Sequence, residues 1–74
     1  MKEKHYLEII EQLTLDESLE KLPRIVRLEV ADETEARKLL PKYEPAFAGL
    51  KYVKRVHIHR HAAGGHGACR VAPL

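Results

Sequence analysis

Acidic residues stop at Glu44: residues 45–74 hold Lys51, Lys54, Arg55, Arg60 and Arg70 with no Asp or Glu among them. Cysteine occurs once, at Cys69, so no internal disulfide can form. With the charged start Met1-Lys2-Glu3-Lys4-His5, this reads as a protein of a reducing cytoplasm. No apolar run approaches the ~20 residues of a helical membrane span, so no membrane association is expected. Asparagine is absent and glutamine occurs once, at Gln12, while 32% of residues are charged, a bias found in hyperthermophile proteins that suggests a thermophile source. Serine also occurs once, at Ser18, and there is no Gly-rich phosphate loop, paired-Cys motif or His-Glu-x-x-His helix. An enzyme is therefore not expected.

A chain of 74 residues makes one domain, 1–74, with a small core and little room for a deep cleft. Marginal cores favour self-association, so a homodimer is a natural expectation. The net charge of +2 conceals an acidic first half and a basic second half. Such asymmetry steers anionic partners such as nucleic acid, or pairs one subunit with another.

Four of the five histidines lie between His57 and His66, three of them alternating as His57-Ile58-His59-Arg60-His61. Alternate residues of a strand share a face, so this is a row of imidazoles. Imidazole and thiolate suit zinc, nickel and copper. His57, His59, His61, His66 and Cys69 are thus the candidate metal ligands. Neighbouring histidines at ~6.6 Å can share an ion, whereas His57 and His61 lie ~13 Å apart along a strand, so the set needs a ligand from elsewhere.

Arg24 to Val30 alternates with Val26, Leu28 and Val30 on one face, the pattern of a strand with one buried side. Asp32 and Glu35 form a capping box for a helix carrying Ala36, Leu39, Leu40, Tyr43 and Phe47 on its apolar face. Pro41 predicts a kink or restart, and Gly49 ends the segment. Tyr52 to His61 is again strand-like, and Cys69-Arg70-Val71 reads as its hairpin partner beyond the glycines. In the first 22 residues Leu7, Ile10 and Leu13 fit a helix, while His5, Leu7 and Ile9 fit a strand; propensity favours helix. Thr14 and Glu17 form a second capping box, predicting a short helix from Leu15 to Leu22 stopped by Pro23.

The fold expected is a small α+β domain with a β-α-β-β core over 24–74. It has a three-stranded mixed sheet, helices on one face, and 1–22 helical or an extra edge strand. Hairpin register decides whether Cys69 joins the histidines. Opposite His59 or His61 it shares their face; one residue of slip buries Cys69 and Val71 with Val56 and Ile58 and turns Arg70 toward the histidines. A lone Cys is commonly a small buried hydrophobe, so the slipped register is the more natural expectation. The leading function is a small binding protein that takes a transition metal on the His-rich strand. The alternatives are a basic module using Arg55, Arg60 and Arg70 to hold nucleic acid, another polyanion or an acidic protein, and a homodimer formed through the open sheet face.

Overall fold

The computed structural model describes residues 2–61 and 67–74. In chain order the elements are β1 (Lys2–Glu11), α1 (Leu15–Ser18), β2 (Ile25–Val30), α2 (Glu33–Tyr43), a 3-10 turn (Glu44–Phe47), β3 (Tyr52–His61) and β4 (Gly67–Pro73). The four strands form one sheet in the order β2-β1-β3-β4, antiparallel throughout. This corrects the expected three-stranded mixed sheet and the helical reading of the N-terminal segment. β2 and β3 do run in the same direction, since each is antiparallel to β1, but β1 lies between them.

Propensity misleads at β1 because the strand is covered on both sides. Leu7, Ile9, Glu8 and Glu11 are all buried, so the in-out alternation of a half-exposed strand is absent there. Leu7 and Ile9 face α2 and join Val30, Ala36, Phe47, Val56 and Ile58 in the core. Phe47 is fully buried, its ring centre 5.4 Å from that of Tyr52, and so ties the 3-10 turn to the start of β3.

Both helix starts use side-chain caps. At α1 the Glu17 amide donates to Thr14 Oγ1 at 3.2 Å and the Thr14 amide donates to Glu17 Oε1 at 3.1 Å, completing a capping box. The helix nevertheless stops at Ser18, short of the expected Leu22, because Leu15, Leu19 and Leu22 gain little burial among the described residues and stand 82%, 80% and 90% exposed. At α2 the Glu35 amide donates to Asp32 Oδ1 at 2.8 Å, while Glu35 Oε1 accepts from the Ala31 amide rather than from that of Asp32. Pro41 does not end α2, which continues to Tyr43 before tightening into the 3-10 turn. Gly49 takes φ +79°, a left-handed conformation that a Cβ would strain, and turns the chain into β3.

The hairpin register is His59 opposite Cys69 and His57 opposite Val71. The expectation of a buried Cys69 is therefore corrected: Cys69 is exposed on the histidine face, and Ala68, Arg70 and Ala72 take the helix side. α2 packs on β1 and β2, so over most of β4 no covering layer rewards turning the apolar residues inward.

Candidate metal centre

The face of the sheet opposite α2 collects Tyr6 and Glu8 from β1, Arg27 from β2, Arg55, His57 and His59 from β3, and Cys69 from β4. Its central group is Glu8, which stands directly opposite Arg27 on one side and Arg55 on the other. Opposite charges in register across strands attract, and here both flank one carboxylate. Arg55 Nε donates to Glu8 Oε1 at 2.8 Å, Arg27 Nε lies 3.2 Å from Oε2, and His57 Nδ1 lies 3.3 Å from the same oxygen. The Arg27 guanidinium also sits 4.5 Å from the centre of the Tyr6 ring, and Tyr6 meets His57 edge-on.

Burial pushes the Glu8 carboxyl up, but the bonds from Arg55 and His57 outweigh it and hold the group below the ordinary glutamate range. A depressed carboxylate adds stability above its unfolded value, about 4.3, and that stability fades as pH falls through the lower folded value. Replacing Glu8 with Ala is expected to cost about 1.5–3 kcal/mol at pH 7, the range for a charged hydrogen-bonding group. The difference between wild type and variant should shrink toward pH 3. Urea denaturation at the two pH values checks this, and an equal cost at both would reject the assigned role.

Beside this network, one ligand atom from each of His57, His59 and Cys69 lies within 4.8 Å of the other two. A tetrahedral ion bound at ~2.0–2.3 Å wants such atoms roughly 3.3–3.6 Å apart, a gap that small side-chain rotations close. The His57 and His59 rings are perpendicular, with centroids 6.4 Å apart, and His59 Nδ1 lies 2.9 Å from Cys69 Sγ. The donor set of two imidazoles and one thiol fits zinc or copper chemically. Glu8 supplies the carboxylate that commonly holds a ligating imidazole by its other nitrogen, fixing tautomer and ring orientation.

Three of the five ligand candidates are thus brought together. His61 is the last residue of β3, opposite Gly67 in register, and His66 lies outside the described residues. The three candidate anion-binding arginines are divided between the two faces. Arg55 is engaged by Glu8, whereas Arg60 and Arg70 both reach Glu3 on the helix side, at 3.1 and 3.5 Å. The slipped register that would turn Arg70 toward the histidines is therefore not the one formed, and Arg55, Arg60 and Arg70 do not share a face. Sequence reasoning missed Glu8 and Tyr6, which the helical reading of β1 hid. The available signal was a glutamate placed between Leu7 and Ile9, where a strand's outer face needs a partner for its charge. No helix among the described residues is long and apolar enough to cross a membrane. In comparisons with protein-family models, curated proteins and solved structures, nothing matches this chain.

Proposed function

We infer that this is a non-enzymatic transition-metal-binding protein whose ligands are His57, His59 and Cys69. The observation that carries the reading is the mutual approach of their ligand atoms to within 4.8 Å on an open sheet face. The soft thiolate favours zinc or copper(I) over nickel. Three protein ligands leave a fourth position to water or an outside ligand. The thiol must be reduced to serve, which fits a cytoplasmic protein. Division of the arginines between two faces, each bound to a glutamate, weighs against the reading as a polyanion-binding strip.

Calorimetric titration of zinc into protein purified without a metal-affinity step tests the proposal. Wild type is expected to bind one ion per chain, with heat that depends on the buffer because ligand protons are released. A variant with Ala at positions 57, 59 and 69 should bind none. Equal binding by both proteins would defeat the reading.

A further inference from the structure

Leu15, Leu19 and Leu22 are the most exposed large hydrophobic residues described, and they sit in the connection between β1 and β2. Leu15 opens α1, Leu19 is its C-cap residue and Leu22 follows in the irregular chain that leads to β2. The same stretch carries Asp16, Glu17 and Glu20. Lys21 is paired with Glu17 and Glu11, while Asp16 and Glu20 have no ion pair among the described residues. The result is an acidic, leucine-rich arm whose leucines stay largely exposed among the described residues.

The opposite end of the sheet has complementary chemistry. Between β3 and β4 a cavity of ≈ 100 Å³ is lined by Ile58, Ala68, Cys69, Glu3, Arg60 and Arg70. Two guanidiniums share the single Glu3 carboxylate there, which leaves a positive excess beside an apolar floor. The arm departs after Glu11, at one end of β1, and the cavity adjoins Glu3 near the other. At ~3.3 Å per residue the separation along the strand is about 26 Å, too far for an arm to reach the cavity of its own chain.

We propose that the arm Leu15–Leu22 of one copy of this chain docks in the β3–β4 cavity of a second copy, giving a reciprocal two-fold dimer. Two chains with their β1 strands running in opposite directions set the arm end of each sheet against the cavity end of the other. Such a two-fold contact is closed and self-complementary, so it stops at two chains. Leucines enter the apolar floor, and Asp16 and Glu20 answer the charge of Arg60 and Arg70. The contact does not involve His57 or His59, and because Cys69 lines the cavity the test is run with metal removed.

Sedimentation equilibrium in the presence of a chelator, at low and high salt, tests the dimer. Wild type is expected to dimerise, with a dissociation constant that rises with salt as the exposed charges are screened. Leu19→Ser and Arg70→Glu should each raise that constant by at least about tenfold. Glu20→Arg combined with Arg70→Glu should recover much of the loss. Leu19 is exposed, so Leu19→Ser keeps the monomer fold, checked by its circular dichroism and thermal midpoint. A wild-type protein that stays monomeric at about 100 µM overturns the proposal. A dimer indifferent to both single substitutions overturns it equally, because it must then use another face.

Discussion

Phe47→Ala is expected to cost about 3–5 kcal/mol, the range for removing a buried aromatic ring from a core. Phe47 is fully buried and contacts the Tyr52 ring, in the same cluster as Leu7, Ile9 and Val56. At ~0.05–0.15 kcal/mol per residue, a domain of this length has roughly 4–11 kcal/mol in total. One substitution therefore takes about a quarter or more of the stability, and in the lower part of that range the chain does not fold. The thermal midpoint should fall by about 20 °C in a variant that does fold, at the 4–8 °C per kcal/mol of small domains. Phe47→Leu keeps most of the volume and should lose much less. A loss below about 1 kcal/mol for the alanine variant would show that the 3-10 turn does not anchor the core.

The second large effect concerns single ligands. Cys69→Ser, His57→Ala and His59→Ala are each expected to lower zinc affinity by at least about a hundredfold, since even second-layer partners of a ligand are worth 10–100-fold. The three losses should be similar if the residues form one site. Cobalt(II) provides a separate readout: thiolate-to-metal absorption should be present in wild type and absent from Cys69→Ser while the fold is intact. Affinity should also fall on acidification, because protons compete with the metal for its ligand atoms. Loss confined to the histidines, with Cys69→Ser unchanged, would leave a two-imidazole site and exclude the thiol from it.

How far the sequence reveals the fold depends on how strongly each element is layered. β2 and α2 were readable because one side of each faces the core: Val26, Leu28 and Val30 alternate, and Ala36, Leu39 and Leu40 keep helical spacing. β1 was not, because Arg27 and Arg55 bury Glu8 on the side that alternation assigns to solvent. The same effect concealed Glu8 and Tyr6, which border the candidate ligands. At β4 the difficulty was reversed. Hydrophobic patterning sets register where a layer lies over the strand, and β4 is mostly exposed. Its pairing instead keeps Arg70 near Glu3 and Cys69 beside His59, preferences that one-dimensional hydropathy does not encode.

The central place of β1 has a consequence for assembly during synthesis. β1 is made before both of the strands that flank it in the sheet, and in β3 Lys2 pairs with His61 and Glu11 with Tyr52. Leu7 and Ile9 must wait for nearly the whole chain before both flanks of β1 are filled. Such distant pairings carry the loop-closure cost associated with slow folding. β1 thus lacks one of its two flanking strands until β3 is made, and its pairing with β2, complete sooner, is the first native contact able to cover it.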